Sequence, residues 1–134
     1  MGNMRFSHDS PKLLLADDDE SSVKACALFF ELEGFNVRIA RDGWEALEFY
    51  KHWHPDLALL DIDMPFIDGY GVAHQIREDA RSPPVLLIAI TGRGDSAAER
   101  AASEGAGFDF HLAKPARLSV ILDLASDHLE KYFS

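Results

Sequence analysis

A single cysteine, Cys26, in 134 residues leaves no partner for an internal disulfide. It falls on the same helical face as Val23, Ala27 and Phe30, so it reads as a buried structural thiol and not a reactive one. No apolar run approaches the roughly 18 residues of a membrane span, and the start lacks the basic-then-apolar layout of a secretion signal. A soluble, cytoplasmic protein is expected. A myristoylation acceptor is missing too: Met1-Gly2 is present, but Phe6 stands where the pattern requires Ser or Thr. Positive charge is scarce. Lys and Arg number 13 against 23 Asp and Glu, a net charge of −10, so phosphate backbones and anionic membranes are repelled over most of the surface. Neither an internal repeat nor a low-complexity tract is found. With 47% hydrophobic residues, the chain suffices for one domain with a sizeable core and has no room for a second.

What is present alternates. Residues 1–11 are polar, aperiodic and end in a proline, which predicts a flexible N-terminal tail, with the fold occupying 12–134. Leu13 to Ala16 form a short apolar run that meets the acid cluster Asp17-Asp18-Asp19-Glu20. A helix follows over Ser21–Glu33, closed by Gly34. Phe35–Ala40 suits a second strand, and Arg41-Asp42-Gly43 turns into a helix carrying Trp44, Leu47 and Tyr50, with His52–Pro55 as its exit loop. Leu57 to Leu60 drive straight into Asp61; Asp63 follows, Pro65 forbids further ladder pairing, and Asp68-Gly69 turns into a third helix ending about Asp79. A fourth strand is predicted over Val85–Ile90 and a helix from the cap Ser96 to about Glu104. A fifth strand covers Phe108–Ala113. The last helix carries Leu118, Ile121, Leu122, Ala125, Leu129 and Tyr132 on one face. Five strands alternating with five helices predict an α/β fold: a mostly parallel sheet covered by helices on both sides.

That topology has a chemical consequence. Ligands of open α/β sheets collect at the carboxyl edge of the strands. Asp17 and Asp18 after the first strand, Asp61 after the third, Thr91 after the fourth and Lys114 after the fifth would all gather there. Singly, each has a plain explanation as a cap or a solvated charge. Together, three carboxylates repel one another unless a cation neutralises them, and Mg²⁺ (or Mn²⁺) suits such a site because it takes few protein carboxylates and completes its shell with waters and phosphate oxygens. Phosphoryl transfer needs these parts: Asp61 as an in-line nucleophile, Asp17 and Asp18 holding the ion, Lys114 sharing the phosphoryl charge, and Thr91 donating a hydrogen bond.

The acidic pair Asp17-Asp18, Asp61 in Leu-Leu-Asp-Ile-Asp-Met-Pro, Asp68-Gly69, Thr91-Gly92 and Lys114-Pro115 stand in the order found in response-regulator receiver domains. Over Leu13 to about Leu129 the chain resembles that family of two-component signalling and phosphorelay proteins. The resemblance implies a single-domain, three-layer (βα)5 flavodoxin-like fold with strand order 2-1-3-4-5. It implies a cis bond before Pro115 and a metal ligand at the backbone carbonyl of Asp63, two residues after the phosphoacceptor. A histidine kinase or histidine phosphotransfer protein would be the phosphodonor. The output would be a face made by the fourth helix, fifth strand and fifth helix, including Ala97, Ala101, His111 and Arg117. The stretches Thr91-Gly92-Arg93-Gly94 and Gly105 to Pro115 are similar to receivers attached to hybrid histidine kinases. One position departs: His111 stands where the family usually has Tyr or Phe, the aromatic that moves inward when the Thr turns toward the phosphoryl group. An imidazole there implies a pH-sensitive switch or an altered relay of shape change.

Two other readings share parts of this pattern. A phosphatase of the haloacid-dehalogenase type also places Asp-x-Asp after an apolar strand, as in Asp61-Ile62-Asp63. Here, however, the acid pair comes first instead of last, Pro65 stands where that family has Thr or Val, and a cap domain has no room. A degenerate, docking-only receiver is opposed by the full set Asp17, Asp18, Asp61, Thr91 and Lys114. Because the whole length is spent on the receiver, a free-standing shuttle or an excised piece of a longer protein is expected. Asp63 and Arg93 flank the presumed water path and are candidates to pair. His8, His52, His54, His74 and His128 form no ligand-spaced pair and are assigned to surface or loop, and Trp44 and Trp53 to packing.

Overall fold

The computed structural model describes residues 10–81 and 83–133. Ten elements alternate: β1 (Lys12–Ala16), α1 (Glu20–Leu32), β2 (Asn36–Ala40), α2 (Gly43–Trp53), β3 (Leu57–Asp61), α3 (Gly69–Glu78), β4 (Leu86–Thr91), α4 (Ala97–Ala106), β5 (Phe110–Ala113) and α5 (Leu118–Phe133). All four strand pairings are parallel, in the order β2-β1-β3-β4-β5. This is the single-domain flavodoxin-like arrangement expected from the sequence.

The period-two geometry of a strand divides the core into two layers. Leu14, Ala16, Ala58, Leu60, Leu87 and Ala89 face α2 and α3, whose Ala46, Leu47, Val72 and Ile76 meet them. Leu13, Leu15, Leu57, Leu59, Leu86 and Ile88 face α1 and α5, against Val23, Phe30, Ile121 and Ala125. Both faces of the central strands are covered, which is why their sequences are continuously apolar instead of alternating.

Most helix starts are written as caps. Asp42, Asp68 and Ser96 accept from the backbone N–H groups of Glu45, Gly71 and Glu99 at 2.8, 2.9 and 3.2 Å. At the start of α3, a Cβ on Gly69 would stand 2.7 Å from the Asp61 carbonyl oxygen, so only glycine lets the helix begin against the end of β3.

Several boundaries differ from the sequence expectation. His52 and Trp53 belong to α2 and not to an exit loop; the helix ends at His54, whose φ of 55° is left-handed, ahead of Pro55. Trp53 is buried, with the Arg38 guanidinium 4.7 Å from its ring centre, so packing extends the helix to Trp53. Trp44, expected to pack, is 60% exposed. Helix α4 continues through Gly105 to a left-handed cap at Gly107, and β5 begins only at Phe110. Asp109 is held outside the strand because its carboxylate accepts from Leu87 N–H and from Arg77. His128 is a half-buried residue of α5 and not a surface or loop residue. Residues 1–9 of the expected tail lie outside the described residues, while Pro11 is buried and its carbonyl accepts from Asn36 N–H at 2.8 Å.

Candidate phosphoacceptor site

The carboxyl ends of the strands bring the acids together as the topology requires. One oxygen from each of Asp17, Asp18 and Asp61 lies within 4.8 Å of the others. The four-acid run after β1 divides its labour. Asp17 and Asp18 point to the site, Asp19 caps α1 by accepting from the Ser22 N–H at 3.5 Å and also accepts from Ser22 Oγ at 2.9 Å, and Glu20 pairs with Lys24 at 2.8 Å. Serine hydrogen bonds hold the Asp19 carboxyl below its usual range.

Lys114 reaches back into this cluster. Its Nζ donates to Asp61 Oδ2 at 3.0 Å and to Asp17 Oδ2 at 3.2 Å. The peptide bond between Lys114 and Pro115 is cis. Asp61 is 5% exposed, and burial pushes its carboxyl above the usual carboxylate range. The charge of Asp17 adds to that push; the Lys114 ammonium and the Asp63 N–H, 3.1 Å from Asp61 Oδ1, oppose it without cancelling it. For Lys114, burial works against the ammonium, but the bonds to Asp61 and Asp17 together outweigh it and raise its pKa. The pocket therefore holds a fixed cation beside clustered carboxylates whose charges are only partly neutralised. Asp17, Asp18 and Asp61 fit a hard divalent cation in donor type and spacing: all are oxygen donors, and they converge from two strand ends.

The remaining predicted residues lie outside the carboxylate cluster. Asp63 turns its carboxylate away from the cluster and receives Arg93 in a fork, with Nη2 at 2.6 Å and Nε at 3.0 and 3.2 Å. Thr91, fully buried, accepts from the Arg93 N–H at its Oγ1 (3.0 Å), and its carbonyl accepts from Lys114 N–H at 2.8 Å. Ala97, Ala101 and Arg117 are exposed. His111 is not on that surface: it is 7% exposed, with Nδ1 2.6 Å from Ser103 Oγ and Nε2 2.8 Å from the Gly94 carbonyl. Ser103 was not singled out in the sequence. A serine eight positions before a histidine, in an Ala-rich helix, carries no local signal that the two will meet. A cleft of about 570 Å³, bounded by Val23 and Cys26 of α1 and by Leu118 and Ile121 of α5, opens onto Asp17, Asp61 and Lys114.

Comparison with known proteins places this geometry. Residues 13–126 match the family model described as the response regulator receiver domain. Response regulator MprA of Mycobacterium ulcerans (strain Agy99) is 37% identical over 113 residues, 84% of this chain and 47% of that protein. MprA of Mycobacterium leprae (strain TN) is 37% identical over 111 residues, 83% of this chain and 47% of that protein. The chain thus spans about half the length of the curated relatives it matches. Among solved structures, the Francisella response regulator 1452 receiver domain superposes with a TM-score of 0.83 at 25% identity, covering 91% of this chain and 98% of that one. A CheY-like receiver domain protein from Methanospirillum hungatei JF-1 gives 0.82 at 26% identity, covering 92% and 96%.

Proposed function

The chain belongs to the response regulator receiver domain family, and from that premise we propose that it accepts a phosphoryl group on Asp61 from a histidine kinase or histidine phosphotransfer protein in the cytoplasm. The receiver unit is taken as 12–134, with 1–11 as its tail. The contact that carries this reading is the Lys114 ammonium, 3.0 Å from Asp61 and 3.2 Å from Asp17, beside an acidic cluster that includes Asp18.

In the proposed reaction, an Asp61 carboxylate oxygen attacks the phosphorus of a phosphohistidine in line. The P–N bond breaks, the imidazole leaves with the electron pair, and an aspartyl phosphate forms. Asp17, Asp18 and Asp61, with the Asp63 carbonyl, would hold Mg²⁺ or Mn²⁺, which when bound supplies positive charge to the phosphoryl oxygens. Lys114 is already oriented on the oxygen from which the phosphoryl group would hang, so its charge needs little reorganisation. Thr91, at the end of the neighbouring strand, would exchange its local Arg93 N–H partner for a phosphoryl oxygen. That exchange would move the loop into α4 and alter the face formed by α4, β5 and α5. The chain is thus read as a signalling domain that catalyses only its own phosphorylation and dephosphorylation.

Incubation with acetyl phosphate and Mg²⁺ is expected to give one acid-stable, base-labile label per chain. The label should disappear with chelator or in Asp61→Asn and fall at least about tenfold in Lys114→Ala. Full labelling of Asp61→Asn, or repeated turnover of a generic phosphate ester, would defeat the proposal and favour a phosphatase.

A further inference from the structure

The loop between β4 and α4 leaves Thr91 at the end of β4 and carries Arg93 onto Asp63, two residues after the phosphoacceptor, yet residues 92, 93, 95 and 96 are exposed and offer little apolar surface to anchor it. Gly94, at a φ of 92°, makes its turn. Among the described contacts, two side chains tie it to the rest of the fold: Arg93, which forks on Asp63 and lies 5.9 Å from the Tyr70 ring centre, and His111, whose Nε2 meets the Gly94 carbonyl. The second is buried at its inner end. His111 is 7% exposed and Ser103 1%.

The hydrogen-bond pattern fixes one proton of the ring. A carbonyl oxygen only accepts, so Nε2 carries a proton toward Gly94, while Nδ1 meets the Ser103 hydroxyl, which can give or take the second bond, at 2.6 Å. Every polar atom of the imidazole is satisfied, and one side chain joins three segments: β5, the body of α4, and the loop. A phenyl or aliphatic group of similar size would fill the space but leave the Ser103 hydroxyl buried without this partner and the Gly94 carbonyl without its anchor.

We propose that His111 is a positioning residue: as an Nε2–H imidazole braced by Ser103, it pins Gly94 and thereby holds the loop whose Arg93 engages Thr91 Oγ1 through its N–H and Asp63 through its guanidinium. The inference rests on the proposed function for its consequence, since a loop pinned before the phosphoryl group arrives lowers the ordering cost of bringing Thr91 to it. The strut itself is a property of the unphosphorylated chain. A displacement of Gly94 must therefore carry the Ser103–His111 pair with it or break that chain.

The test uses the unphosphorylated protein first. Long-range ¹H–¹⁵N spectra of the imidazoles are expected to show His111 as the Nε2–H tautomer with a slowly exchanging ring proton; an Nδ1–H tautomer, or a rapidly exchanging Nε2 proton, overturns the proposal without any mutation. In His111→Phe and Ser103→Ala, amide exchange of residues 93–95 should rise about fivefold to tenfold while β1 and β3 amides keep their protection. In His111→Gln, whose amide offers both a donor and an acceptor, it should return most of the way. Unchanged loop exchange in His111→Phe, or equal effects of Phe and Gln, overturns the strut. Labelling by acetyl phosphate is then measured in the same variants and should follow loop order. Absence of label in the parent protein would refute the phosphoacceptor reading but leave the exchange data to decide the strut.

Discussion

Cys26 shows how far one residue's chemistry depends on its surroundings. It sits on α1 at the wall of the cleft that leads to Asp61, and burial, with the charge of Asp17, pushes its thiol up to about 11. At pH 8 only about one thiol in a thousand would be ionised, against roughly a quarter for a free cysteine. Alkylation by iodoacetamide of the native protein at pH 8 is therefore expected to be at least about a hundredfold slower than that of the urea-unfolded chain. It should accelerate about tenfold per pH unit up to about 11, and a rate near that of the unfolded chain would contradict the raised thiol pKa. The shared face of Val23, Cys26, Ala27 and Phe30 was legible from their spacing, but the thiol expected to be buried is only half-buried, because the cleft opens beside it. Legible too were the identities of Asp17, Asp18, Asp61 and Lys114. That Asp19 would cap and Glu20 would pair with Lys24 was not, because four consecutive acids differ only in the directions the backbone gives them.

Helix α5 packs by its apolar face. Its apolar positions Ile121, Ala125 and Leu129 are buried as the periodicity indicated. His128 lies between that face and solvent, with Nε2 buried and no hydrogen-bond partner. Burial lowers its pKa; Asp109, the Pro84 carbonyl and Asp56 oppose that, and Lys131 assists it. Since the folded pKa lies below the unfolded value of about 6.5, the unfolded chain takes up a proton that the folded chain refuses as the pH falls through about 6.5. Stability should drop between pH 7.5 and 5 by urea unfolding, and His128→Phe should flatten part of that slope; an unchanged slope would show that His128 is not responsible. Alternation and caps made the order and type of every element readable. The errors fell at ends, where tertiary contacts decide: Trp53 drew α2 onward by packing, and Asp109 delayed β5 by bonding sideways to Leu87 and Arg77.

Over the whole molecule the net charge is −10, and three of its carboxylates converge where β1 and β3 end. A divalent cation bound there would be linked to folding, because the unfolded chain does not hold Asp17, Asp18 and Asp61 within 4.8 Å. At about a hundred times its dissociation constant, Mg²⁺ should add about 2.7 kcal/mol to the unfolding free energy. Asp18→Asn should lose most of that gain, and calorimetry showing the same midpoint with and without Mg²⁺ would remove the ion from the site. No helix among the described residues is long and apolar enough to cross a membrane. The amino-acid order alone determined the layered sheet, since apolar strand runs and capped amphipathic helices leave few ways to bury both faces. It also determined which chemical groups end each strand, because strand ends are set locally by turns and prolines. Only the folded arrangement decided that Asp63 and Arg93, candidates to pair from the sequence, do pair, and that His111 faces Ser103 and Gly94. Those choices join residues far apart in the chain, and periodicity specifies a side chain's face but not the partner that waits there.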